Sequence, residues 1–121
     1  VQVNYCPANS RRFASGTYYR RCKGFENGGL IKVRINKANK YPLDIRFKTS
    51  NYERKTDRKG NVTVYQKLQT IEAHTPEFLA LAIFLHEFSH YLDHVQGLNG
   101  KYKQTKADKF AIASLERMGL L

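Results

Sequence analysis

Between Thr75 and Gly97 the chain carries a segment with very little structural freedom. Thr75 is a good helix N-cap, Pro76 suits the first helical position, where its missing N–H costs nothing, and Glu77 complements the positive end of the helix dipole. Gly97 supplies a natural stop. From Phe78 to Leu85 nearly every residue is apolar, so the predicted helix runs through the middle of its domain and the rest of the chain must cover it.

The second half of this helix changes character. Residues 86 to 94 read His-Glu-Phe-Ser-His-Tyr-Leu-Asp-His. At about 100° per residue, His86, Glu87, Ser89, His90, Asp93 and His94 fall within one arc, with Leu85, Phe88, Leu92 and Val95 on the other side. Buried polar groups need partners, and a metal ion would explain this gathering. The spacing of His86 and His90 carries the argument: four residues return nearly to the same azimuth after a rise of about 6 Å, so two imidazoles can converge on one tetrahedral ion. Glu87 sits about 100° round the helix from His86, where its carboxylate addresses a metal-bound water without being a ligand. His94 lies about 12 Å of rise from His86, too far to join the same ion, and is expected in an outer, substrate-facing or solvent-exposed place. Asp93 either orients an imidazole or is an ordinary solvated carboxylate, and His74 is expected to be a loop residue.

Upstream the pattern has period two. Ile31, Val33 and Ile35 alternate with Lys32 and Arg34, and Leu43, Ile45 and Phe47 alternate with Asp44 and Arg46, so both stretches are expected strands. Val62 to Leu68 resumes strand character, with Asn51 to Asn61 expected as a charged loop or hairpin connection. The segment before Asn27 mixes Tyr18, Tyr19, Arg20 and Arg21 with the turn formers Pro7, Asn9, Ser10 and Gly16, and its structure is not assigned. Thr105 to Met118 repeats helical spacing through Ala107, Phe110, Ala111, Leu115 and Met118, ending at Gly119.

The 121 residues fit one α+β domain, with a basic β-rich part over 1–74 and a helical part over 75–121. The net charge of +11 comes entirely from residues 1–74, where sixteen Lys and Arg face five Asp and Glu; residues 75–121 balance at five and five. That asymmetry suggests an anionic partner, a nucleic acid or an acidic protein, for the basic half. No apolar run is long and charge-free enough for a membrane span, so no membrane partner is expected. Two cysteines, Cys6 and Cys22, are too few for a disulfide scaffold and lack the spacing of a structural zinc site; reduced thiols are favoured over a pair. With no basic-then-apolar leader at the start, the expected compartment is the cytoplasm, secretion remaining open.

The run Gln104-Thr105-Lys106-Ala107-Asp108-Lys109-Phe110-Ala111, taken with His86 to His94, resembles the zincin metallopeptidases of the ImmA/IrrE type and, more loosely, the SprT-like and lethal-factor-like peptidases. The resemblance covers roughly residues 75–118. It implies a single zincin-like domain in which a small N-terminal sheet packs on the active-site helix and a C-terminal helix. It also implies a Zn²⁺ cofactor, protein or peptide substrates hydrolysed with Glu87 as general base, and a third metal ligand from the second helix. In such families that ligand is an acid three residues before the alanine, where this chain has Gln104, and a neutral amide is a poor zinc ligand. Asp108, the nearest acid on the same face, is therefore nominated as third ligand beside His86 and His90. The alternative is that Asp108 hydrogen-bonds a ligand imidazole, leaving Gln104, Glu116, Tyr102 or a water to complete the shell. In zincins an edge strand commonly binds the substrate backbone, and Val62 to Leu68 is the expected one. Tyr91 or Tyr102 is a candidate for oxyanion support.

Overall fold

A computed structural model describes residues 1–6, 12–20, 29–97 and 104–121. Its architecture is α+β, as expected. The described elements run β1 (Gln2–Cys6), β2 (Ala14–Tyr19), β3 (Leu30–Asn36), β4 (Leu43–Thr56), β5 (Val62–Ala73), α1 (Pro76–Val95) and α2 (Gln104–Arg117). They form two sheets, one ordered β1-β3-β2 with β1 parallel and β2 antiparallel to β3, the other an antiparallel β4-β5 pair. Cys22 and Tyr102 lie outside the described residues, and so does the question of whether Cys6 and Cys22 pair.

The alternation in β3 does what the pattern requires: Ile31, Val33 and Ile35 are buried against α1. Ile45 and Phe47 of β4 join Ile71 and Ala73 of β5 in the same core, with Ile45 directly opposite Ile71. Leu79, Ala82 and Leu85 fill the buried face of α1, and Ala111 and Leu115 that of α2. Burying a leucine of this kind stabilises by about 1.5–3 kcal/mol. The caps also behave as expected. Thr75 Oγ1 accepts the Phe78 N–H at 3.1 Å, and Gly97 follows α1 with φ of 69°.

Of the loop and the hairpin connection expected over Asn51–Asn61, the hairpin is formed, with its strand arm longer than the period-two pattern marks. β4 continues to Thr56 and pairs with β5 down to Val62, leaving a tight turn at Asp57–Asn61. A register shift between Lys48 and Tyr52 interrupts the ladder, and beyond it neither strand has a buried face. Main-chain pairing and polar side chains such as Asp57 and Gln66 hold that part together, so no apolar alternation marks it in the sequence.

Candidate metal centre

α1 and α2 pack closely because Ala107 and Ala111 put almost no side chain between them, both being at most 1% exposed. That approach brings Asp108 to His86: its Oδ1 lies 2.5 Å from His86 Nδ1. Its Oδ2 accepts the backbone N–H of Lys48 at 2.7 Å. An amide has one hydrogen, so the Lys48 N–H points to α2 and away from β5; the outer edge of β4 faces the site and β5 lies beyond it. In Val62–Leu68, the strand expected to receive a substrate, Leu68 pairs with Lys48 and so lies across β4 from Asp108, while Gln66 reaches α2 through Thr105 Oγ1 at 2.8 Å.

With Nδ1 committed to Asp108, Nε2 is the free corner of His86. The Gln104 side chain stands near enough to both His86 and His90 to favour the charged imidazole in each, and the two rings stand 5.1 Å apart at 75°. Burial pulls His86 down, but the Asp108 hydrogen bond and charge, helped by Glu87 and Gln104, more than offset it and hold the imidazole above its ordinary value. His90 is pushed the other way by burial and by the charge of His86.

Glu87 occupies the adjoining wall. It is 7% exposed, and its Oε2 is buried with no hydrogen-bond partner among the described residues. Burial pushes its carboxyl up, while the charge of His86 and the Tyr18 backbone N–H pull the other way. β2 reaches the helix here because of Gly16: a Cβ at that position would stand 2.5 Å from Ile83 Cγ2 and 2.9 Å from Glu87 Cγ. Neither contact was read from the sequence, where Gly16 looked like a turn former; a lone glycine in a strand is the signal for close backbone approach.

The other candidates have separate places. Tyr18 is buried and its hydroxyl is 2.9 Å from His94 Nδ1, so exposed His94 ties β2 to α1. Asp93 pairs with Lys106 Nζ at 2.7 Å, bridging the two helices. Tyr91 stacks on Phe88 and meets Tyr18 edge-on, a packing role. His74 is exposed beside Glu72, and Glu116 lines a shallow polar recess with Lys48 and Lys109.

Among the described residues no group of three or more His, Cys, Asp or Glu is placed to share one ion. His86, His90 and Asp108 do not form such a group: Asp108 Oδ1 is on His86 Nδ1 and Oδ2 on the Lys48 N–H. The geometry is that of a carboxylate held behind an imidazole, fixing its tautomer and direction. His86, His90 and Gln104 are the remaining groups that could hold a metal, the amide being the weak donor. Among the described residues no helix is long and apolar enough to cross a membrane. No family model, curated protein or solved structure matches this chain.

Proposed function

We propose that this chain is a zinc-dependent peptidase. The observation that carries the reading is the buried Glu87 carboxyl, with Oε2 unpartnered among the described residues, on the same helix as two imidazoles whose rings stand 5.1 Å apart. A buried acceptor without a partner costs about 1–3 kcal/mol, which a bound water or substrate group would relieve. Asp108 holds His86 so that Nε2 faces the site; His86, His90 and Gln104 would hold the ion. Zinc bound there supplies a polarised scissile carbonyl and a water acidified toward neutrality. Glu87 does the proton work. Its raised basicity lets it take a proton from the water, and its acid form survives nearer neutrality to pass that proton to the leaving amine.

The test is metal content together with cleavage of a mixed peptide library. About one zinc per chain and cleavage are expected, with Glu87→Gln keeping the metal and losing cleavage. Full zinc occupancy after His86→Ala plus His90→Ala, or cleavage by Glu87→Gln at the unmodified rate, overturns the proposal.

A further inference from the structure

Beyond the register shift, β4 and β5 run on as a two-stranded ribbon tied to the helices at its base, where half-buried Gln66 Nε2 donates to Thr105 Oγ1 of α2 at 2.8 Å. Residues 50–65 are all exposed, on both faces and through the turn. An isolated two-stranded hairpin is marginal in water, yet this one leaves Tyr52 63%, Val62 59%, Val64 55% and Tyr65 48% exposed. The turn is built with care: Asp57 Oδ1 accepts the Lys59 N–H at 2.9 Å and the Asn61 N–H at 2.8 Å, and Gly60 has φ of 82°. A well-made tip on an unpacked ribbon calls for a partner.

Charge identifies the partner. The ribbon carries Arg54, Lys55, Arg58, Lys59 and Lys67 against Glu53 and Asp57, and Asp57 is tied to the turn. None of the five cations has an ion-pair partner among the described residues; Lys55 lies over the Tyr65 ring at 5.4 Å. Register assigns them to faces. Arg54 lies opposite Val64 with Tyr52 on one face, and Lys55 lies opposite Thr63 with Tyr65 and Lys67 on the other; Arg58 and Lys59 sit at the tip. An acidic protein surface would meet one face only. A groove between two phosphate backbones meets both.

We propose that residues 50–67 form an arm that inserts into the major groove of duplex DNA. Five paired residues per strand, Tyr52–Thr56 against Val62–Gln66, at about 3.3 Å give a reach of about 17 Å before the turn, and two strands about 4.8 Å apart, with their side chains, fit a groove about 12 Å wide and 8.5 Å deep. The five cations supply phosphate contacts, and Tyr52 and Tyr65 supply flat apolar surface to the groove. This inference is independent of the peptidase reading, because the ribbon contains none of His86, Glu87, His90 and Gln104.

The experiment is fluorescence anisotropy of a labelled 24-base-pair mixed-sequence duplex with the whole chain, titrated at several salt concentrations. Five phosphate contacts predict a log–log salt slope near −4.5, a loss of about 500-fold in affinity between 50 and 200 mM salt. The variant Arg54→Gln, Lys55→Gln, Arg58→Gln, Lys59→Gln should bring the slope to about −0.9. A control of equal charge change on exposed positions outside the ribbon, Arg34→Gln, Lys37→Gln, Lys40→Gln, Lys109→Gln, should keep the original slope to within about one contact. All substitutions are on the surface, so both variants should melt within a few degrees of the parent. Absence of binding at 50 mM salt overturns the proposal, as does an equal loss in the control. Binding of poly-L-glutamate or of duplex RNA as tight as that of duplex DNA, with the same dependence on the ribbon, would replace the groove with another anionic partner and equally overturn it.

Discussion

Asp108 decides how the site is held together, and its two bonds give the magnitude. Asp108→Ala removes the charge-assisted contact to His86 Nδ1 at 2.5 Å, worth about 1.5–3 kcal/mol. It also leaves the Lys48 N–H, now at 2.7 Å from Oδ2, without its acceptor, at about 1–3 kcal/mol. Because water can enter the partly open site, the lower halves of both ranges apply, about 3 kcal/mol together. For a domain of this size that is roughly 12 °C of Tm. Asp108→Asn keeps one oxygen as acceptor and should lose about half as much. pH adds a second check. In metal-free protein the His86 imidazole sits above its ordinary 6.5, so its stabilisation is complete below that value and lost as pH rises through the raised one. The difference in Tm between parent and Asp108→Asn, measured in EDTA, should therefore narrow from pH 6 to pH 8 or above. Zinc affinity should fall by about 10–100-fold in both variants, the effect of losing an orienting group. Two results would refute the reasoning. One is unchanged zinc affinity in both variants. The other is complete loss of zinc from Asp108→Asn with Gln104→Ala binding normally, which would make Asp108 a direct ligand.

Gly16→Ala drives a methyl to 2.5 Å from Ile83 Cγ2 and 2.9 Å from Glu87 Cγ, so a loss of about 1–3 kcal/mol is expected in thermal melts, with cleavage reduced more than zinc content. An alanine variant that matches the parent in both measurements would mean β2 does not press on the helix. Tyr18→Phe removes the 2.9 Å bond to His94 and should lower stability by about 1 kcal/mol while leaving zinc stoichiometry unchanged; no change in melting temperature would show that the bond contributes nothing net. Gln104→Glu exchanges the weak amide near His86 and His90 for a carboxylate, and zinc titration should show at least about a tenfold gain in affinity. A weaker site in that variant would remove Gln104 from the ion's surroundings.

The parts of this fold that were legible are the ones with a buried face. α1 and α2 announce themselves through caps and helical spacing, and β3 and the first half of β4 through alternation that ends in the core. β1 left no mark because residues 2–4 are exposed, and β2 because Tyr18 is its one buried side chain. The outer ribbon is legible only as charge, since pairing there rests on backbone groups that every residue shares. Val62–Leu68 was read correctly as strand, but its placement depends on which edge of β4 meets α2, a tertiary fact without a local signature.

The site divides along the same line. His86, Glu87 and His90 follow from positions on one helix, because the period of the helix alone fixes their relative directions. What holds the acids beside them comes from two strand edges: the Tyr18 N–H of β2 meets Glu87, and the Lys48 N–H of β4 meets Asp108. A main-chain donor is chemically the same in every residue except proline, so no choice of side chain at position 18 or 48 advertises it. The consequence is physical. β2 holds Glu87 and β4 holds Asp108 through a main-chain amide, and a shift of either strand by a fraction of an ångström alters the carboxylate it holds before it disturbs either histidine. Substitutions that loosen β2 or β4 on the helices should thus act first on proton transfer and on the orientation of His86, with the two-histidine grip itself failing last.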